Sequence, residues 1–259
     1  MAELNGRPAT VTELETLALA NFGHFTSMRV DDGTVRGLAL HMERLVRDCQ
    51  KVFAADLDAG SVLDYVRHAT RGRVGSYTVR VTIFDPKIDL GNVGDQVEPQ
   101  VLVTIRSAGA MPSPPLTIKT YPFTRDTAEV KHIGLFGQLR CRRAAKLAGF
   151  DDAIFTEADG RLSEGATWNL GFVRDEGEVI WPDAPVLPGV TMQLLQQEHA
   201  HTVGPVKLTD LGEMRAAFAT NTSIGVRAIR RINDIDLPTD NPTCSTLQKI
   251  YADLPGDLL

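Results

Sequence analysis

The chain has 259 residues, a net charge of −6 at pH 7, 43% hydrophobic residues and 23% charged residues. This balance is typical of globular proteins, and the acidic surplus argues against nucleic-acid binding, which usually needs a basic surface. No apolar run approaches the roughly 20 residues that span a bilayer. The N-terminal segment has charged residues and a proline where a signal peptide is apolar. We therefore expect a cytoplasmic protein that binds neither nucleic acid nor membranes.

The cysteines set a further limit on the class of protein. Cys49, Cys141 and Cys244 are far apart, odd in number and without CxxC spacing. Such cysteines are typical of reduced thiols in a cytosolic protein. We expect neither a disulfide framework nor a metal site.

The first part of the chain alternates helical and strand-like patterns. Residues 16–30 are mostly apolar and become strand-like in their second half, 25–30. The spacing of apolar residues predicts a helix over 38–54, and a second helix over 61–70 opens on a serine cap. Strands rich in β-branched residues follow over 77–84 and 101–105. This half is predicted to be α+β.

A segment of small residues and three prolines, 107–115, interrupts the pattern and predicts an exposed connector. Two helices are predicted beyond it, over 135–148 and 191–201. Short strands separated by turns are predicted over 116–121, 152–157, 169–173, 178–181, 218–222 and 226–232. Such spacing favours a barrel-like sheet. We predict an N-terminal α+β domain over 1–106 and a C-terminal domain over 116–259.

Four separated segments contain the residues that suggest chemistry. They are Lys131 ahead of a helix, the stretch DGRLSEGATWNLGFV around Glu164, the stretch LPGVT ending at Thr191, and the stretch ATNTS ending at Ser223. A carboxylate favours a protonated ring nitrogen nearby, and a helix N-terminus favours a phosphate. Each segment taken alone also fits an ordinary role: a surface lysine, an exposed turn carboxylate, a capped helix or a polar hairpin turn.

Together, in this order and spacing, the four segments resemble the class IV aminotransferase family, the fold type IV enzymes of pyridoxal 5'-phosphate (PLP). That family includes branched-chain aminotransferases, D-amino-acid aminotransferases and aminodeoxychorismate lyase. The resemblance implies a smaller N-terminal α/β sandwich domain and a larger C-terminal pseudo-barrel domain that binds PLP. It also implies a homodimer, with the site between the two domains and the connector near 112–115 as one wall.

The resemblance implies a role for each matching residue. Lys131 matches the lysine that carries PLP as a Schiff base, and Glu164 matches the carboxylate at the pyridine nitrogen. An arginine in the pattern HxxRL matches Arg44, whose planar guanidinium suits a phosphate; its alternative role is a surface charge on a helix. The other matching phosphate ligands are Val190, Thr191, Thr222 and, beside it, Ser223.

Two arginines are candidates for substrate binding. Arg80 matches a position where branched-chain aminotransferases bind the side-chain carboxylate of glutamate. Arg29 lies on the strand that lines the substrate pocket of the family, together with Phe25. An arginine inside an apolar strand pattern needs a counter-ion. A substrate carboxylate and a structural Asp or Glu both meet that need.

The chain departs from the family pattern at two places. Phe136 stands where the family often has a tyrosine near the phenolic oxygen of PLP. Thr26 and Ser27 follow Phe25 where branched-chain enzymes have Glu-Gly, which leaves branched-chain specificity open. The arginines of the helix after Lys131 are expected to form a solvated face: Arg140, Arg142 and Arg143.

The resemblance therefore predicts an aminotransferase that moves an amino group between an amino acid and a 2-oxo acid. A PLP-dependent lyase that releases pyruvate, as aminodeoxychorismate lyase does, is the main alternative, because the chain is close to lyase length. A binding protein without catalysis on the same fold is a third. The donor, the acceptor and the handedness of the amino acid stay open.

Overall fold

The computed structural model describes residues 2–111 and 113–259, so Pro112 of the predicted connector lies outside the described residues. The α-helices are α1 Val11–Leu19, α2 Leu38–Phe53, α3 Ala59–Thr70, α4 Phe136–Leu147, α5 Val190–Glu198 and α6 Pro242–Asp253. Short 3-10 helices span Asp175–Gly177 and Leu208–Glu213. The strands are β1 Ala2–Leu4, β2 Arg7–Pro8, β3 His24–Asp31, β4 Thr34–Val35, β5 Ser76–Phe84, β6 Gln100–Ser107, β7 Leu116–Pro122, β8 Asp152–Thr156, β9 Leu162–Gly165, β10 Asn169–Val173, β11 Val179–Pro182, β12 His201–Gly204, β13 Ala216–Asn221, β14 Gly225–Ile232, β15 Ile235–Asp236 and β16 Asp257–Leu258.

The chain divides into two compact units. The first unit contains Met1–Gly109, Val130–Gly134 and Pro255–Leu259, and the second contains Ala110–Glu129 and Leu135–Leu254. The five residues around Lys131 therefore belong to the first unit, although the second unit flanks them in sequence. The domain boundaries inferred from the sequence, 1–106 and 116–259 around the connector, stay a prediction.

The first unit is a sheet with α2 and α3 packed on one face, while Leu14 and Leu17 of α1 pack with Phe84 and Leu102 on the other. Over the described residues its strand order is β16-β4-β3-β5-β6-β1-β2. Alternate residues of β3 and β5, such as Met28 and Val79, form a core with Leu45 of α2 and Val62 of α3. Side chains alternate between the two faces of a strand, so the intervening residues lie on the other face. There Ser27 pairs with Arg80 in the β3–β5 register.

The second unit contains a ring of strands. Its sheet runs β12-β11-β10-β13-β14-β7-β8-β9, and the pairing of Asn169 with Glu164 joins β9 back to β10. Six strands thus close on themselves around apolar side chains such as Ile118, Leu170 and Ile229. Helices α5 and α6 pack outside with Phe218, among other residues. This ring confirms the predicted pseudo-barrel.

The structure also contains elements that the sequence did not predict, among them α1, β9, β12, α6 and the short strands β1, β2, β4, β15 and β16. The serine cap predicted for α3 is wrong. The helix begins at Ala59 and its cap is Asp58, whose carboxylate accepts from the amides of Gly60 and Ser61 at 3.3 and 3.0 Å. A carboxylate at this position also interacts favourably with the helix dipole.

The three cysteines are free, buried thiols. Burial raises the pKa of Cys49 and of Cys244 to about 11, and nearby Asp56 adds to the effect at Cys49. These thiols are therefore poor nucleophiles. Among the described residues, no helix has both the length and the apolar character that crossing a bilayer requires.

Candidate active site

Lys131 lies on a short extended segment that pairs with the start of β3. Its carbonyl accepts from the amide of Phe25 at 2.9 Å, and the amide of Ile133 donates to the carbonyl of Gly23 at 2.9 Å. His24 and His132 form the antiparallel bridge between these two bonds. The backbone of Lys131 is thus part of the sheet edge, unlike that of a lysine on a free surface loop.

The side chain of Phe25 brings two of the candidate residues together. The Lys131 Nζ atom lies 5.0 Å from the centre of the Phe25 ring, and the Arg80 guanidinium carbon lies 3.7 Å from the same centre. Cations are attracted to the face of an aromatic ring. Phe25 therefore positions an amine and a guanidinium in the same part of the first unit.

Arg44 is a buried cation on α2. Its Nη2 atom donates to the hydroxyl of Thr26 and lies 3.1 Å from Nδ1 of His41. Burial lowers the pKa of Arg44 to about 10, against the raising effect of nearby Asp48. Within residues 2–111 and 113–259, no carboxylate forms an ion pair with Arg44, and its Nε atom has no hydrogen-bond partner. Arg44 is therefore not the surface charge that the alternative interpretation required.

His41 lies beside Arg44 on the same helix and is fully buried. Burial, with Arg44 and Lys131 nearby, lowers the pKa of His41 well below its ordinary value. Its Nδ1 atom lies 2.7 Å from the Thr26 hydroxyl. The ring is therefore neutral at physiological pH, because two cations and the loss of water disfavour a third charge.

The two candidate substrate arginines differ in their counter-ions. Arg29 Nε donates to both carboxylate oxygens of Asp31, at 2.9 and 3.0 Å, so a structural partner satisfies it. Arg80 donates to the hydroxyl of Thr82 at 3.3 Å, and it forms no ion pair in the part of the chain that the structure describes. Burial lowers the pKa of Arg80, and Arg106 adds to this effect. Of the two, Arg80 is the one whose charge calls for an external anion.

Glu164 lies on β9 of the second unit and is 4% exposed, so it is not an exposed turn carboxylate. Its Oε1 atom accepts from Nη1 of Arg125 at 3.0 Å in a buried ion pair. Its Oε2 atom accepts from the amide of Leu187 at 3.3 Å and from Nδ2 of Asn169 at 3.5 Å. Arg125 is a partner that the sequence reading missed.

Asn169 links two stretches that are distant in the sequence, EGATWN and LPGVT. Its Nδ2 atom donates to the carbonyl of Leu187 at 2.8 Å. A Cβ atom on Gly189 would lie 2.0 Å from Oδ1 of Asn169, so only glycine fits there. The asparagine of EGATWN and the glycine of LPGVT are thus in direct contact. This contact places the start of α5 beside Glu164.

The N-terminus of α5 has features of an anion site. The helix begins at Val190 and no side chain caps it. The hydroxyl of Thr191, the next residue, is buried and has no hydrogen-bond partner among the described residues. Free amides at a helix N-terminus attract negative charge. The unused hydroxyl is a second donor in the same place.

The turn after β13 is held by Asn221. Its Oδ1 atom accepts from the amides of Ser223 and Ile224 at 2.8 and 3.0 Å, and its Nδ2 atom donates to the carbonyl of Thr167 at 3.0 Å. Thr222 lies within this turn. The bond to Thr167 ties the turn to the connection between β9 and β10. The buried hydroxyl of Thr220, without a partner among the described residues, is a further donor that the sequence reading missed.

The side chains of helix α4, which follows Lys131 in the sequence, differ in how far they are exposed. Phe136 begins α4 and is 79% exposed. Arg142 donates to both carboxylate oxygens of Asp152, at 2.9 and 2.8 Å, and to Thr167 at 2.7 Å. Arg142 is therefore not part of a solvated face, and that expectation is wrong for it. Arg140 and Arg143 are exposed as expected.

The predicted site residues thus lie in two clusters. Those in the first unit are Phe25, Arg29, Arg44, Arg80 and Lys131. Those in the second unit are Glu164, Val190, Thr191, Thr222 and Ser223. Their chemical roles stay predictions.

Solved structures share the fold. A branched-chain aminotransferase from the archaeon Thermoproteus uzoniensis, solved with norvaline, matches with a TM-score of 0.83 at 21% identity, over 97% of this chain and 93% of that chain. A hypothetical aminotransferase from Mycobacterium tuberculosis, in a PLP-bound form, matches with 0.83 at 16% identity, over 97% of each chain. The Escherichia coli branched-chain amino acid aminotransferase matches with 0.85 at 18% identity, over 100% of this chain and 95% of that chain. At these identities the likeness establishes the fold alone.

A comparison with curated proteins found no match. The family model described as Amino-transferase class IV matches residues 23–232, which is most of the chain. The match spans every motif described above, from the start of β3 to the end of β14. The chain belongs to the class IV aminotransferases.

Proposed function

We propose that this protein is a PLP-dependent aminotransferase that moves an amino group between an amino acid and a 2-oxo acid. Related structures are described as bound to PLP, to pyridoxamine 5'-phosphate or to N-(5'-phosphopyridoxyl)-L-glutamate. Those ligands belong to those proteins, so support for PLP in this chain has to come from its own residues.

The residues present fit PLP. A phosphate needs cations and donors, and Arg44 is a buried cation without an ion pair within residues 2–111 and 113–259. The Thr191 hydroxyl at the start of α5 is buried and unused over the same residues. A pyridine N–H needs an acceptor, and Glu164 is a buried carboxylate. Arg44, buried and without an ion pair among the described residues, is the observation that carries the proposal, because a buried cation is costly unless an anion joins it.

Each residue then has a role. Lys131 would hold the cofactor covalently through Nζ. Glu164 accepts a hydrogen bond from the ring nitrogen and keeps it protonated. Phosphate is held by Arg44, by the backbone at Val190 and by the hydroxyls of Thr191 and Thr222, with Ser223 beside them.

PLP, when bound, draws electrons from the substrate carbon that loses its proton. The Nζ atom of Lys131 would accept that proton from the substrate and would return it at the adjacent position. A lysine amine can serve as both base and acid in this way. Arg80 binds a substrate carboxylate, and Phe25 forms an apolar side of the substrate site and fixes the direction of the Lys131 side chain. Arg29, already paired with Asp31, holds the strand on which these residues lie.

The experiment that tests the proposal compares Lys131→Ala with Lys119→Ala. Lys119 is a matched control, because its Nζ atom also lies over an aromatic ring, 5.2 Å from the centre of Phe150. Purified proteins are supplied with PLP and a panel of L- and D-amino acids with 2-oxoglutarate. We expect amino transfer in the wild type and in Lys119→Ala, and a loss of roughly 10³-fold or more in Lys131→Ala.

Three other results of this experiment would contradict the proposal. Pyruvate release without any amino acceptor identifies the lyase alternative. A protein that stays colourless after PLP is added supports the non-catalytic alternative. Turnover that Lys131→Ala retains contradicts the role of Lys131.

The homodimer and the cytoplasmic location remain part of this proposal. Light scattering of the purified protein at several concentrations measures the first, and fractionation of cells that produce it measures the second. A monomer at all concentrations contradicts the homodimer.

A further inference from the structure

Helix α2 carries three polar side chains on its buried face. His41, Arg44 and Asp48 are spaced by three and four residues, so they lie in one stripe along the helix. All three are buried, at 0, 5 and 0% exposure. Burying three polar groups on one helix face is costly unless each has partners. The partners of Asp48 indicate what this stripe does.

Asp48 divides its two oxygens between two kinds of partner. Oδ1 accepts from Nε and Nη2 of Arg47 at 3.0 and 2.7 Å. Oδ2 accepts from the backbone amide of Lys131 at 2.9 Å. The second bond joins residues 83 positions apart in the sequence and holds the candidate lysine itself. A hydrogen bond to an ionised acceptor is roughly twice as strong as a neutral one.

Another buried carboxylate shows that this arrangement is not general. Asp152 also accepts from an arginine, Arg142, at 2.8 Å, but its other partner outside its own strand is the indole Nε1 of Trp168, at 2.9 Å. Asp152 therefore ties side chains together within the second unit. Asp48 instead fixes a backbone position.

We propose that Asp48 is a positioning residue that anchors the backbone of Lys131 to α2. Arg44 lies four residues before Asp48 on the same face of α2. The helix therefore fixes the position of the Lys131 backbone relative to Arg44. Three hydrogen bonds hold the segment around Lys131. The Asp48 carboxylate accepts from the Lys131 amide, and two backbone hydrogen bonds join the segment to Phe25 and Gly23. The anchoring is a property of the apoprotein. Its consequence for catalysis rests on the proposed function.

The anchoring is tested by amide hydrogen exchange in the full-length apoprotein. Asp48→Ala removes the acceptor of the Lys131 amide, and the Arg47 side chain is already 38% exposed. We expect the Lys131 amide to exchange at least about tenfold faster than in the wild type, because a charge-assisted bond no longer protects it. Asp48→Asn keeps the shape and one neutral acceptor oxygen, so it should restore part of the protection.

Asp152→Asn is the matched control, since it neutralises a buried carboxylate bound to arginine elsewhere. It should leave exchange at Lys131 unchanged. The proposal is overturned if the Lys131 amide exchanges equally in wild type and Asp48→Ala. Equal acceleration in Asp152→Asn overturns it too, because the effect would then reflect general loss of stability.

A second readout links the anchor to the cofactor. The rate at which added PLP becomes covalently bound, followed by its absorbance, should fall about tenfold in Asp48→Ala and recover in part in Asp48→Asn. Equal rates in all three proteins contradict a positioning role for Asp48 and leave the proposed function intact. If the wild type binds no PLP at Lys131, the proposed function fails instead, while the exchange result on Asp48 still stands.

Discussion

The buried charge of Glu164 in the second cluster has an ion-pair partner, whereas those of Arg44 and Arg80 in the first cluster have none among the described residues. In the second unit, Glu164 accepts from Arg125, from the Leu187 amide and from Asn169, so its charge is balanced within the protein. In the first unit, Arg44 and Arg80 form no ion pair within the part of the chain that the structure describes. Removing one partner of a buried ion pair is strongly destabilising, because it leaves the other charge buried and unpaired. A buried charge that has no ion pair is costly from the start, until an anion binds beside it.

This difference separates the residues that build the site from those that recognise an anion. Substitutions in the second unit should reduce the stability of the apoprotein itself. Substitutions of Arg44 and Arg80 should not lower that stability, but they should reduce ligand binding. Unfolding measurements on the apoprotein, paired with PLP binding, can therefore assign each residue to one class.

The largest change in stability is expected for Arg125→Met. The substitution leaves the Glu164 carboxylate buried, at 5% side-chain exposure, without its cation. Breaking a buried pair in this way costs about 3–5 kcal/mol. Urea unfolding of the apoprotein measures it.

Arg215→Met is the matched control for Arg125→Met. Arg215 pairs with Asp175 at 2.7 Å, but the two side chains are 57 and 74% exposed. An exposed pair contributes at most about 1 kcal/mol. Equal losses in the two variants would mean that burial of the Glu164 pair has no consequence.

His24 makes the first unit sensitive to acid. It is fully buried and both ring nitrogens lack a partner among the described residues. Burial lowers the pKa of His24 to about 3, and Arg47 adds to this effect. The pKa of this histidine in the unfolded chain is roughly 6.5. At pH values between that pKa and the folded pKa of about 3, the unfolded chain binds a proton that the folded chain does not. Stability should therefore fall as the pH falls through this window, by about 1.4 kcal/mol per pH unit.

His24→Phe tests this pH dependence, since a second aromatic ring fits beside Phe53, whose centre lies 5.8 Å away. In unfolding experiments at several pH values, the free energy of unfolding of the variant should depend less steeply on pH between about 6.5 and about 3. His199→Phe in the second unit serves as the control and should keep the slope. An unchanged slope in His24→Phe contradicts the burial of a neutral ring.

Gly189→Ala should cost about 1–3 kcal/mol, because the new methyl overlaps Oδ1 of Asn169. Asn169→Ala removes that overlap, so the double variant should be more stable than the sum of the single changes by at least about 0.5 kcal/mol. Gly212→Ala is the control, since no atom lies within 4 Å of its added Cβ. If the changes in the free energy of unfolding caused by Gly189→Ala and Asn169→Ala were strictly additive, the two motifs would not be in contact.

The smallest effect on stability is expected for Arg44→Met. Removing a buried cation that has no ion pair should not lower the stability of the apoprotein, because relief of the burial cost offsets the lost hydrogen bond to Thr26. PLP affinity should nevertheless fall about 10- to 100-fold, because a charge-assisted phosphate contact is lost. A large loss of apoprotein stability would place Arg44 with Glu164 among the residues that build the fold.

The sequence predicted elements whose pattern is local. Strands β5, β6, β10 and β14 are runs of β-branched and apolar residues, and α2 has regular apolar spacing. Strand β9 was missed because Leu162–Gly165 contains a glutamate and a glycine, and pairs with residues that only the fold brings near. Helix α1 was also missed, although Thr10 and Glu13 form a capping box that signals its start.

The motif residues of the site could be predicted from their order, but their partners could not. Arg125 lies 39 positions from Glu164, and no pattern links the two. Asp48 did leave a signal, because it is a carboxylate on the apolar face of the predicted helix over 38–54. The grouping of Val130–Gly134 with the first unit depends on the pairing with β3, which a linear reading does not reveal.

The covalent attachment of PLP tests the central claim most directly. The PLP-loaded wild-type protein is reduced with borohydride, digested and mapped by mass spectrometry. We expect the pyridoxyl group on Lys131 and on no other lysine. A label on Lys51, Lys87 or Lys119, or no label at all, would contradict the claim that Lys131 carries the cofactor.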